Sequence, residues 1–152
     1  VPYLTNSHKA TINTVIERHK RTVLFLGVNN DGITFKNPYP FEFRKKMIER
    51  TFPDANLTIL CLPDIPDNNK EWVTMVDLLV DCNLVKGEDA VLYGSRDSFI
   101  PYYKKDNGKF NYVELAQKDY DSGTDLREIS AVDMPEYSPE VAKAILWTIK
   151  HS

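Results

Sequence analysis

Three short apolar runs constrain this chain more than anything else in it: Arg21 to Val28 (RTVLFLGV), Asn56 to Pro63 (NLTILCLP) and Asp89 to Gly94 (DAVLYG). The first is apolar almost without interruption, as expected of a strand covered on both faces in a parallel sheet. Helical periodicity fills the gaps between them. Phe41 to Phe52 places Phe43, Met47 and Ile48 on one face, and a second stretch does the same with Trp72, Val73, Val76, Leu79 and Val80. Downstream, Arg96 to Tyr103 reads as a short helix, Phe110 to Leu115 as a fourth strand, Thr124 to Ala131 as a short helix and Pro139 to Ile149 as a closing helix. Strands alternating with helices predict an α/β fold, a doubly wound and mostly parallel sheet. In such a sheet ligands lie beyond the carboxyl ends of the strands.

The 152 residues suit a single domain, 1–152, with a core that needs no staples. The formal net charge is −3, and the basic residues are scattered among acids. No basic stripe tracks a polynucleotide, so no nucleic-acid partner is expected. The apolar runs are too short to span a bilayer and the first residues lack a signal-peptide pattern, so the expectation is a cytoplasmic protein without a membrane partner. Cys61 and Cys82 have neither zinc-site spacing nor the numbers of a disulfide scaffold, and both are expected to be reduced and buried. His8, His19 and His151 are far apart, and no His/Cys/Glu cluster suggests a protein-held transition metal. Any metal is expected to arrive with a phosphate substrate.

The chemistry is concentrated in two capped helix beginnings. Thr5-Asn6-Ser7-His8-Lys9 enters an amphipathic run from Ala10 to Lys20, in which His8, Ile12, Val15 and Ile16 share one face. An imidazole in a first helical turn stands where unpaired N–H groups and the helix dipole already favour a phosphate. An ordinary, partly exposed histidine is the plainer reading. Ser122-Gly123-Thr124-Asp125-Leu126-Arg127 is the second such start, with Ser122 as N-cap and Asp125 three residues on, and its plainer reading is a capped helix with a solvated arginine.

Taken together the two stretches resemble the nucleotidylyltransferase superfamily, whose members carry a (His/Thr)-x-Gly-His motif early and a Ser-x-Thr-x-x-Arg motif late. Thr5, Ser7, His8, Ser122, Thr124 and Arg127 stand at those positions. Within the superfamily the chain looks most like nicotinamide mononucleotide adenylyltransferases, including those fused to a Nudix hydrolase domain. The resemblance implies a Rossmann-like sheet of the nucleotidylyltransferase type. It also implies a strand ahead of Val1, for which the chain has no room, so the sheet is expected to lack its first and central strand.

The middle of the chain extends the likeness. Pro63-Asp64-Ile65-Pro66 and Asn69-Lys70-Glu71-Trp72-Val73 resemble the segment that receives the nicotinamide nucleotide, which implies Asn69 on the carboxamide and Trp72 stacked on the ring. The chemistry suits both roles, since an electron-poor pyridinium matches an indole face and an amide can give and accept. Trp72 as the anchor of a helix on the sheet is the alternative that composition favours. Asn37-Pro38-Tyr39-Pro40-Phe41-Glu42-Phe43-Arg44 is similar to a family stretch whose arginine points toward the phosphates, although Lys45 and Lys46 beside Arg44 suggest a solvated face as readily. Gly94-Ser95-Arg96-Asp97 looks like a family turn following a strand, where a small residue admits the ligand. Gly27, closing the first run, Gly94 and Arg96 join Ser7, Ser122, Thr124 and Arg127 as expected ATP-binding positions.

Other chemistries fit worse. There is no phosphate loop of the Gly-x-x-x-x-Gly-Lys-Ser/Thr type, no Gly-x-Gly-x-x-Gly and no Gly-x-Ser-x-Gly elbow. The carboxylate pairs Asp64 with Asp67 and Asp119 with Asp121 fall in loops without an apolar pocket to separate their pKa values. The resemblance therefore implies adenylyl transfer from ATP to nicotinamide mononucleotide (NMN) by direct attack, with Mg²⁺ on the phosphates and His8, Thr5 and Arg127 as the catalytic groups. Two departures, Ser7 in place of glycine and Thr5 in place of the first histidine, leave open a catalytically silent nucleotide-binding or regulatory module. A change of acceptor, to nicotinate mononucleotide or another phosphate, or a cytidylyl transfer, also stays open. So do homo-oligomerisation and a fused or partner Nudix hydrolase domain.

Overall fold

The computed structural model describes residues 6–28, 41–95, 99–115 and 141–147. In chain order these form α1 (Asn6–Arg18), β1 (Thr22–Val28), α2 (Phe41–Thr51), β2 (Leu57–Pro63), α3 (Asn69–Asn83), β3 (Ala90–Ser95), α4 (Ile100–Lys105), β4 (Asn111–Leu115) and β5 (Ala142–Trp147). The strands make one sheet in the order β2-β1-β5-β3-β4. Every pairing is parallel, with Thr22 opposite Leu57 and Lys143, and Val91 opposite Lys143 and Asn111.

The inner strands explain why the apolar runs were so plain. Val23 to Leu26 are all buried, and alternate residues face opposite layers. Val23 and Phe25 pack with Trp72, Val73, Val76 and Val80 of α3 and with Ile100 and Tyr103 of α4. Leu24 and Leu26 pack with Ile12 and Val15 of α1 and Ile48 of α2. The sheet is thus sandwiched between α1 with α2 on one face and α3 with α4 on the other. Burying one such aliphatic side chain is worth about 1.5–3 kcal/mol, so strands buried on both faces dominate the energetics.

The C-terminal segment differs from the expected helix. Ala142–Trp147 is a strand, and it occupies the central position between β1 and β3 that the sequence reading left empty. Without it, the facing edges of β1 and β3 would expose rows of backbone donors and acceptors in the middle of the molecule. Completing two ladders outweighs a helix preference worth a few tenths of a kcal/mol per residue.

Two smaller expectations are also corrected. Phe43 is exposed, and the inward position one turn before Ile48 is taken by Arg44. Both cysteines are exposed free thiols: Cys61 lies toward the carboxyl end of the edge strand β2, and Cys82 lies on the outer side of α3.

Polar contacts fix the helices. Asn68 caps α3, its side chain accepting from the Glu71 N–H at 3.0 Å while its amide donates to the Glu71 carboxylate. Tyr103 of α4 donates its hydroxyl to Asp77 of α3 and accepts from the Phe110 N–H at 2.9 Å. The same carboxylate takes the Lys109 N–H at 3.0 Å, so one acidic group ties α3 to the turn that feeds β4. Arg21 bridges the amino ends of β1 and β3 through Glu88, 2.8 Å away, and the Asn83 carbonyl.

Candidate functional site

Chain direction places three helix beginnings at one end of the sheet. Only three residues separate Arg18 from β1, and α1 runs back along the sheet: the Val15 carbonyl, near its end, accepts from Lys143 near the start of β5 at 2.9 Å. His8 therefore lies toward the carboxyl ends of the strands, partly exposed, on the face that buries Ile12 and Val15. The α2 beginning lies there too, because Arg44 reaches the carbonyl of Gly27 near the end of β1. Asn69 opens α3 six residues after β2 ends.

Arg44 has the most telling surroundings. Its side chain is 4% exposed. Both terminal nitrogens donate to the Gly27 oxygen, at 3.3 and 3.2 Å, and its Nε has no partner. Among the described residues no carboxylate pairs with it. Burial weakens its hold on the proton, but a guanidinium stays charged at any physiological pH. A buried cation with spare donors and no counter-ion is costly unless an anion completes it. At the carboxyl end of a parallel sheet, its spare donors have the chemistry to take a phosphate or carboxylate.

Asn69 is partly buried and firmly held. Its Nδ2 donates to the Tyr102 carbonyl at 2.7 Å and to Asp106 Oδ2 at 2.6 Å. Trp72, three residues on, is 8% exposed and embedded in the core layer with Val73, Val76 and Tyr103. It holds the anchoring position of α3 on the sheet. Gly27 and Gly94 are buried within β1 and β3. Ser7 lies in α1 with its side chain outside the description, and Thr5, Arg96, Ser122, Thr124 and Arg127 lie outside the described residues.

No family model matches the chain. A nicotinamide/nicotinic acid mononucleotide adenylyltransferase from Acinetobacter baylyi is 28% identical over 125 residues, covering 80% of this chain and 66% of that protein. This chain is similar to NMN adenylyltransferases. A solved structure of a bifunctional NMN adenylyltransferase/ADP ribose pyrophosphatase from Francisella tularensis superposes with a TM-score of 0.66 at 19% identity, over 80% of this chain and 37% of that one. The latter likeness carries the nucleotidylyltransferase type of α/β fold. The chain thus spans just under two thirds of the curated relative and little more than a third of the solved one.

Asp106 and the Tyr102 carbonyl were not legible beforehand. Asp106 is 37 residues from Asn69 and sits in a turn whose composition resembles any solvated loop. The burial of Arg44 did have a signal: it stands four residues before Ile48, on the same helix face.

Proposed function

We propose that the chain transfers an adenylyl group from ATP to nicotinamide mononucleotide, releasing pyrophosphate. The observation that carries this reading is Arg44, a buried guanidinium with no counter-ion among the described residues, at the end of a parallel sheet where His8 and Asn69 also open their helices. The similarity to NMN adenylyltransferases supports it.

In this reading the mononucleotide 5′-phosphate attacks the α-phosphorus of ATP, a new P–O bond forms, and the bond to the pyrophosphate oxygen breaks. There is no covalent intermediate, so the protein positions and stabilises charge. His8 donates to the α-phosphate or bridging oxygen as charge builds, aided by the N–H groups at the start of α1. Arg44 takes a phosphate on its free Nε edge, and Asn69 receives the carboxamide. Thr5, Ser7, Arg96, Ser122, Thr124 and Arg127 complete the triphosphate site. Among the described residues no three His, Cys, Asp or Glu side chains converge on an ion. Mg²⁺ carried on the phosphates fits such a site, since it keeps most of its waters and needs few protein ligands. Bound there, it would neutralise phosphate charge.

Incubation with ATP, Mg²⁺ and NMN, with the product read by mass, tests the reaction. His8→Ala should slow pyrophosphate release by about 10²–10³, the usual cost of one transition-state donor. An unchanged rate removes His8 from the mechanism, and nucleotide binding without any dinucleotide would assign the chain to a silent module.

A further inference from the structure

Asn69 is held in one orientation by two acceptors. An amide nitrogen has two hydrogens, and here the Tyr102 carbonyl takes one at 2.7 Å and Asp106 Oδ2 takes the other at 2.6 Å. Rotating the amide by half a turn would set Oδ1 against those same two oxygens, losing both bonds and placing lone pairs face to face. The orientation is therefore fixed by chemistry, and the Asn69 Oδ1, which takes no hydrogen bond from the described residues, is the atom of the group left to meet a ligand.

Resting on the reading above, we propose that Asp106 is a positioning residue that turns the Asn69 oxygen toward the substrate, so that the site takes a ring carboxamide and rejects the matching carboxylate. A carboxamide brings an N–H₂ to that oxygen. An ionised carboxylate brings none, sets oxygen against oxygen, and adds a like charge near the Asp106 carboxylate. A site that must leave a polar group unpaired discriminates far more strongly than one that merely adjusts its volume. Here the loss of one hydrogen bond combined with charge repulsion corresponds to about a hundredfold in favour of the amide.

The test is the ratio of kcat/KM for nicotinamide mononucleotide over nicotinate mononucleotide, in the intact protein and in Asp106→Ala and Asp106→Asn. The expected result is a ratio of about 10² that falls to within a few-fold of one in Asp106→Ala but only to about 10 in Asp106→Asn, whose amide oxygen still accepts from the Asn69 nitrogen, while the KM for ATP stays put. A merely structural aspartate would change both substrates alike. The proposal is overturned if the intact protein shows no preference, or if Asp106→Ala keeps it. If no dinucleotide forms from either substrate, the catalytic reading fails by itself. Calorimetric titration of the same two mononucleotides then decides the proposal: tighter binding of the amide that Asp106→Ala abolishes sustains it, and equal affinities or no binding overturn it.

Discussion

Replacing Lys143 by methionine should make the protein more stable at neutral pH and remove most of its alkaline stabilisation. Lys143 sits on the central strand, 1% exposed, with its amino group donating to the Val15 carbonyl at 2.9 Å and lying 5.7 Å from the Tyr93 ring centre. Among the described residues no carboxylate faces it. Its neighbours are Tyr93 of β3, the buried His19 bonded to that tyrosine at 3.1 Å, and Arg18, whose charge adds to the effect of burial. Burial, then Arg18, pulls the lysine pKa down to about 6. A ring contact worth about 2 kcal/mol does not hold the proton against several kcal/mol of desolvation.

Between that value and the ordinary one near 10.4, the unfolded chain binds one more proton than the folded one. Stability therefore rises with pH across this window by up to about 1.4 kcal/mol per unit and is flat with respect to this group below it. At pH 7 the lysine costs about 4–5 kcal/mol relative to alkaline pH. Methionine keeps the apolar stem but leaves the Val15 carbonyl unpaired, a loss of about 1–3 kcal/mol. The net gain at neutral pH is about 2–3 kcal/mol, shrinking toward pH 10. Urea unfolding of both proteins at several pH values from about 6 to about 10 measures it. Parallel pH profiles, or a variant less stable at pH 7, would refute the argument.

Gly108→Ala should destabilise the α4–β4 connection, because an added Cβ would lie 2.0–2.3 Å from three atoms of the Tyr103 ring. Relief requires moving a fully buried ring off Asp77 and the Phe110 N–H, so a loss of about 1–3 kcal/mol is expected by denaturant titration. An unchanged midpoint would mean that the turn yields freely. Arg44→Lys keeps the charge but not the planar fork, so the KM of a phosphate-bearing substrate should rise about 10–100-fold. Equal KM values for both substrates in variant and parent would exclude Arg44 from phosphate binding.

The sheet was legible where physics leaves one choice. Runs such as Val23 to Leu26 have no polar side to offer water, so only a strand covered on both faces suits them. Residues 142–147 (AKAILW) carry helix-forming alanines, a lysine and a leucine after a proline start signal, and only the two unpaired neighbours decide their state. Local preference cannot report a partner so far away in sequence. His8 was singled out because a helix beginning has a signature and Asn69 because its segment resembles a family stretch, whereas the burial of Arg44 was masked by the two lysines that follow it. The cluster of His19, Tyr93 and Lys143 has no spacing rule at all, since three distant elements bring it together. The late Ser122 to Arg127 motif falls outside the described residues.

The insertion of β5 has a further consequence for how the molecule assembles. Lys143 and its Val15 acceptor are 128 residues apart, so the seam joining β1-β2 to β3-β4 closes only after nearly all of the intervening chain has collapsed. Until then, each half carries a naked inner edge that matches the strand of any sibling molecule as well as its own. At high concentration a slow-closing seam invites exchange of that strand between copies, and dilution during refolding should suppress it.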